Sequence, residues 1–137
     1  MAHDHDVYAA LADIATQQRD APALREYAPK IEELALRDDH RLYLALAHRA
    51  HGVLARLTRD YDEAASRFSR ALELFEQLGA RWQMGRTHYE TGALARETND
   101  IDNARAHFGQ ALAAFEALRA APEAERTRAI LRELAPV

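Results

Sequence analysis

The stretch ALAHRAHGVLARLTRDYDEAASRFSRALELFEQLGARWQM, residues 45–84, is followed directly by GRTHYETGALARETNDIDNARAHFGQALAAFEALRAAPEA, residues 85–124. Laid over one another without a gap, at an offset of 40 residues, they agree at His48/His88, Gly52/Gly92, Leu54/Leu94, Ala55/Ala95, Arg56/Arg96, Thr58/Thr98, Asp60/Asp100 and Asp62/Asp102. Agreement continues at Ala64/Ala104, Phe68/Phe108, Ala71/Ala111, Leu72/Leu112, Phe75/Phe115, Glu76/Glu116, Leu78/Leu118 and Ala80/Ala120. Matching Ala and Leu carry little weight in an Ala-rich chain. Gly, Phe, Asp and His recurring at one offset mark an internal repeat.

Each copy reads as two helices. Phe68, Ala71, Leu72, Phe75 and Leu78 fall at three- and four-residue steps, the spacing of one helical face. Asp60 and Asp100 stand at N-cap positions, and Glu63 follows Asp60 as in an Asp form of the capping box. Asp62 and Asp102 add negative charge to the first turn, where the helix dipole favours it. Gly79 is placed to end its helix in the left-handed conformation. Gly52 and Gly92 lie inside the first helix of each copy, where glycine costs about 1 kcal/mol relative to alanine. Their recurrence predicts a close approach to Ala64 and Ala104 of the partner helix.

The pattern extends outward in a weaker form. Residues 7–18 and 21–37 read as a degenerate first copy, with Leu11, Ile14 and Ala15 on one face and Leu24, Tyr27, Ile31 and Leu34 on the other. Asp20 and Pro22 fit a helix start, whereas Pro29 predicts a kink or a break near residues 27–29. Pro122 opens a last helix carrying Ile130, Leu131 and Leu134 on one side and Glu and Arg on the other, as a terminal cap requires. The expectation is seven helices in one domain over residues 1–137, with units at about 5–44, 45–84 and 85–121 and a capping helix over 122–134.

Composition narrows the function classes. The chain is 48% hydrophobic but only 7% aromatic, which favours helices packed through small residues over a β-sandwich. Cysteine is absent, so disulfides, thiolate metal sites and cysteine nucleophiles are excluded. No leader-like or membrane-length apolar run is present, and a cytoplasmic location is expected. A net charge of −4 argues against general nucleic-acid binding.

The pattern Gly52…Tyr61…Ala64…Phe68…Ala71, echoed as Gly92…Ile101…Ala104…Phe108…Ala111, resembles the tetratricopeptide repeat. The resemblance implies an all-α, right-handed α-solenoid of antiparallel helix pairs: about three such units plus the C-terminal capping helix. It further implies a non-enzymatic scaffold that binds a protein or peptide segment in a concave groove. The departures are specific. His48 and His88 stand at the family's large early position, Glu76 and Glu116 replace its proline, and the period is 40 residues against about 34 for the standard unit. Longer helices follow, similar to the extended repeats of bacterial regulators and signalling ATPases.

The groove is expected on the first helix of each pair. At about 100° per residue, the stripe beside His48 and Gly52 is Leu46, Arg49, Val53, Arg56 and Leu57. In the next copy it is Arg86, Tyr89, Ala93, Arg96 and Glu97, and in the first it is Asp6, Ala9, Asp13, Thr16 and Gln17. Leu46, Arg49, Val53, Arg56, Arg86, Tyr89 and Arg96 are therefore the candidate partner-binding residues, and guanidinium forks suit an acidic or carboxylate-bearing segment. Some family members grip a C-terminal carboxylate with a Lys/Asn clamp. Val53 stands where that clamp needs Asn, so the clamp is not carried over. The alternatives are self-association through an exposed terminal helix, giving a homo-oligomer, or a regulatory domain within a larger signalling protein.

No catalytic residue, cofactor or metal is expected, and neither membrane nor nucleic acid is an expected partner. His48 and His51 lie close in sequence to Asp38, Asp39 and His40, but recurrence of the histidine at position 88 fits packing better than ligation. His3 and His5 alternate with Asp at the N-terminus, where a weak metal contact would be mobile. Ser66 and Ser69 lack a nucleophile elbow, and no phosphate-binding glycine loop is present. Trp82, in the link between copies, is expected to be buried between successive helices.

Overall fold

The computed structural model describes residues 4–135. Its helices are α1 (Asp4–Gln18), α2 (Ala21–Arg37), α3 (Arg41–Leu57), α4 (Tyr61–Leu78), α5 (Arg81–Glu97), α6 (Ile101–Ala117) and α7 (Ala121–Glu133). No strand occurs among the described residues. The expected fold class, an all-α repeat of antiparallel helix pairs, is what the chain has.

The junctions set the period. Arg19, Asp39, Arg59, Gly79, Asn99 and Arg119, spaced every 20 residues, all have positive φ, between 52° and 65°. After each, the next N–H reaches back five residues to a helix carbonyl: Asp20 to Ala15, His40 to Ala35, Asp60 to Ala55, Ala80 to Phe75, Asp100 to Ala95 and Ala120 to Phe115, at 2.8–3.0 Å. These bonds satisfy carbonyls that the helix end leaves orphaned. A left-handed conformation costs an L-residue roughly 1–2 kcal/mol, yet only Gly79 is glycine. The 40-residue sequence repeat is thus two helix-plus-turn steps of equal length.

Helix starts are capped as the sequence implies, with one difference. Asp20 Oδ1 accepts from the Ala23 N–H at 3.1 Å, and Asp60 and Asp100 accept from Glu63 and Asn103 at 3.4 Å. The reciprocal half of the capping box does not form. The Asp60 N–H is already donated to Ala55, and Glu63 accepts instead from Arg67 Nε at 2.7 Å. Pro29 breaks nothing either, since α2 runs unbroken through it. Pro29 and Arg25 are both exposed, so the carbonyl that loses its donor lies on the solvent side.

The chain divides into two compact units, residues 1–74 and 75–137, with the boundary inside α4. In the first, α2 packs on both α1 and α3, and α1 also meets α3. Leu24, Ile31, Leu34, Phe68 and Ala71 are buried, whereas Ile14, expected on the apolar face of α1, is 51% exposed. In the second unit, α5 packs on α6 and α6 on α7. Ala95, Ala104 and Phe108 form a core cluster there, covered by Tyr89, Ala93, Ile130, Leu131 and Leu134. Trp82 is not buried as expected. It lies at the surface, 37% exposed, with its ring 5.5 Å from that of Phe115.

Close approach at the repeated glycines is real, but the neighbour is an aromatic ring and not Ala64 or Ala104. A Cβ on Gly52 would stand 2.5 Å from Phe68 Cε1, and one on Gly92 would stand 2.9 Å from Phe108 Cδ2. Each ring occupies the space that a side chain on the facing helix would need. Because the Gly52 contact is tighter, Gly52→Ala should lower the urea midpoint more than Gly92→Ala. Gly92→Leu should overpack outright, by about 1–3 kcal/mol. Equal midpoints for Gly92→Leu and the parent would show that the ring moves aside without cost.

Candidate functional site

The candidate stripe resolves into residues of different kinds. In the first unit Arg49 is only 2% exposed and Val53 is fully buried, so both are core residues and not surface contacts. Arg49 Nη2 pairs with Asp13 Oδ1 of α1 at 3.6 Å. The Tyr43 hydroxyl, on the same helix as Arg49, donates to Asp6, again on α1. Two carboxylates of the α1 stripe, Asp6 and Asp13, thus meet polar groups of α3. Leu46 and Arg56 are half-buried.

In the second unit, Tyr89 is half-buried and meets Phe108 edge-on, with centroids 5.4 Å apart. Arg86 is half-buried, and Arg96 is exposed with Nη2 3.2 Å from Glu133 Oε2 of α7. Within each unit, then, one first-helix arginine, Arg49 or Arg96, turns toward a carboxylate on a neighbouring helix. The chain thereby displays, between its own helices, the pairing that the sequence suggested for a partner.

A second set of side chains escaped the sequence reading. Positions 8, 48 and 88 each face the residue 19 further on, across the helix pair. Tyr8 and Tyr27 have ring centroids 6.4 Å apart, Arg67 Nη1 donates to His48 Nδ1 at 3.0 Å, and His88 Nδ1 lies 3.1 Å from His107 Nδ1. Matching identical residues finds His48/His88 but not Arg67/His107, because the partner column changes type. The signal was available as two columns that vary together in chemistry while keeping the offset.

The 48/67 pair is charged. Arg67 also donates to Glu32 and Glu63, and His51 Nε2 lies 3.8 Å from Glu32 Oε2. Burial, then the Arg67 charge, push the His48 pKa down to about 4 against the opposing pull of Glu32. His51 is lowered for the same two reasons. The 88/107 pair has no such company. Burial followed by the neighbouring imidazole lowers His88 to about 4, and burial lowers His107.

Among the described residues, no group of three or more His, Asp or Glu side chains is arranged to hold a metal ion. His48 and His51 are drawn to Glu32 and Arg67 and not to Asp38 or Asp39. The terminal histidine motif lies outside what the structure describes, His3 wholly and His5 in its side chain. No helix among the described residues is long and apolar enough to cross a membrane.

Repeated helix pairs of one length, locked by a glycine–phenylalanine contact, define a helical-repeat scaffold. The tetratricopeptide repeat family model matches residues 43–117, which spans α3 to α6 and more than half of the chain. The chain belongs to the tetratricopeptide repeat family, a class of non-enzymatic scaffolds that mediate protein–protein interaction. Comparison with curated proteins and with solved structures found no match.

Two outcomes test these placements. Histidines whose folded pKa lies below the unfolded value of about 6.5 bind fewer protons folded than unfolded. Their contribution is therefore complete above about pH 6.5 and is lost as pH falls toward 4. The limit is about 3 kcal/mol per group, reduced by solvent screening at His88, which is partly exposed. Urea midpoints measured from pH 7.5 to 4.5 should fall, and His88→Gln should flatten that fall. Separately, Arg49→Ala should destabilise by about 1–3 kcal/mol, because Asp13 is left facing an emptied site. An Arg49→Ala protein with an unchanged melting temperature would contradict the burial.

Proposed function

We propose that the chain is a protein–protein interaction module, without catalytic activity of its own, that holds an extended or helical segment against the first helices of its repeats. The observation that carries this reading is family membership over residues 43–117. Supporting it, the first helices keep half-buried apolar groups, Leu46 and Tyr89, beside arginines. Arg56, Arg86 and Arg96 are the proposed contacts to a carboxylate-bearing segment. Arg49 and Val53 support that face from beneath, since both are buried. An acidic segment would compete with Glu133 for Arg96, an exchange between similar hydrogen bonds with modest cost. A cytoplasmic setting is part of the proposal.

Self-association through α7 is less favoured by one observation. Glu125 accepts from Arg128 at 2.8 Å and from Arg132 at 3.3 Å, forming an ionic ladder along that helix. Docking a second copy on the ladder would require desolvating it, which is costly.

The triple variant Arg56→Ala, Arg86→Ala, Arg96→Ala tests the groove, with Arg126→Ala on α7 as control. Affinity capture from the native cell should lose specific partners with the triple variant and keep them with the control. Loss of one desolvated charge-assisted contact commonly costs about 2–5 kcal/mol in binding, whereas a rim contact changes mainly on-rate and salt dependence. Undiminished capture by a folded triple variant would move the binding surface off the first helices.

A further inference from the structure

The second repeat brings two imidazoles together with nothing charged between them. His88 Nδ1 on α5 and His107 Nδ1 on α6 are 3.1 Å apart, and their ring centroids are 5.3 Å apart. Metal–imidazole bonds are about 2.0–2.1 Å long, so two ligands on one ion, at right or tetrahedral angles, have nitrogens roughly 2.9–3.4 Å apart. The observed separation falls within that range. From this geometry we propose that His88 and His107 form a two-histidine site for a late first-row divalent cation, with Cu2+ the tightest and Ni2+ and Zn2+ weaker.

Three observations favour a ligand there over a purely structural contact. His88 lines a cleft of about 300 Å³ together with Arg81, Met84, Gly85 and Gln110, so one member of the pair borders an open space. The equivalent pair in the first repeat is built differently. There Arg67 fills the partner position and saturates His48 Nδ1, so that site is closed to a cation. Arg67, His51 and Glu63 of the first repeat have His107, Thr91 and Asn103 as their counterparts 40 residues on, so the second repeat keeps the spacing and loses the charges. Cu2+ ranks first because nitrogen sites follow the usual order of divalent affinities, in which copper exceeds nickel and zinc.

The test uses the full chain with His3→Asn and His5→Asn, which removes the terminal histidines as competing ligands. His107→Arg is the decisive variant, because it copies the pair that the chain already folds around at His48 and Arg67. Titration of the parent with CuCl2, NiCl2 or ZnCl2 should give one site per chain and a melting temperature raised by roughly 5 °C at saturating metal. Electron paramagnetic resonance of the copper form should show two equivalent nitrogen ligands. His107→Arg should retain the circular dichroism of the parent, lose the thermal shift and weaken copper binding at least tenfold. Undetectable binding to the parent, or binding and nitrogen couplings unchanged in His107→Arg, would overturn the site and leave the imidazoles as a hydrogen-bonded packing pair. His88→Asn supplies a second route to the same decision should His107→Arg fail to fold.

Discussion

The contact between a glycine on one helix and a phenylalanine ring on the next underlies the other interhelix contacts of the repeat. At Gly52/Phe68 and Gly92/Phe108, backbone and ring approach so closely that even a methyl group has no space. That proximity fixes both the separation and the axial register of the two helices. With the register fixed, the residue four before each glycine must face the residue just before each phenylalanine. His48 therefore meets Arg67, and His88 meets His107. The first pair reaches a similar arrangement by other means. The equivalent positions there are Ala12 and Ala28, both buried, while Tyr8, one turn before Ala12, meets Tyr27, the neighbour of Ala28.

Equal helix length follows from the junctions and not from the cores. Six left-handed residues at 20-residue spacing stop the helices, five of them against their intrinsic preference. The strain is tolerated because the bond made by the following N–H closes the helix end, and because side chains of exposed turn residues cost nothing to solvate. Such a turn needs only a chain that cannot continue, so its residue type drifts among Arg, Asp, Asn and Gly.

The arginines show how a sequence stripe and a surface can part company. Helical phase places Arg49, Val53 and Arg56 along one line, yet Arg49 and Val53 are covered by neighbouring helices while Arg56 is only half-buried. An isolated helix would expose all three. Arg49 is buried where α3 meets α1, whose Asp13 supplies a counter-charge. What a helical stripe exposes is therefore decided by the neighbouring helices, and the two arginines on the same stripe are unequally buried.

The sequence by itself determined the helical class, the 40-residue period, the cap positions at Asp20, Asp60 and Asp100, and the family. Each of these depends on interactions within about one helix pair, where spacing along the chain is spacing in space. Only the tertiary structure decided that Gly52 and Gly92 are packed by rings and not by alanines, that Pro29 leaves its helix unbroken, that Trp82 lies at the surface, and that Arg49 is core. It also decided the chemistry of the 48/67 and 88/107 pairs. Those outcomes turn on which side chain of a neighbouring helix fills a given gap. Periodicity names the face that must be covered, but the volume and charge of the residue that covers it are set across the pair, by packing.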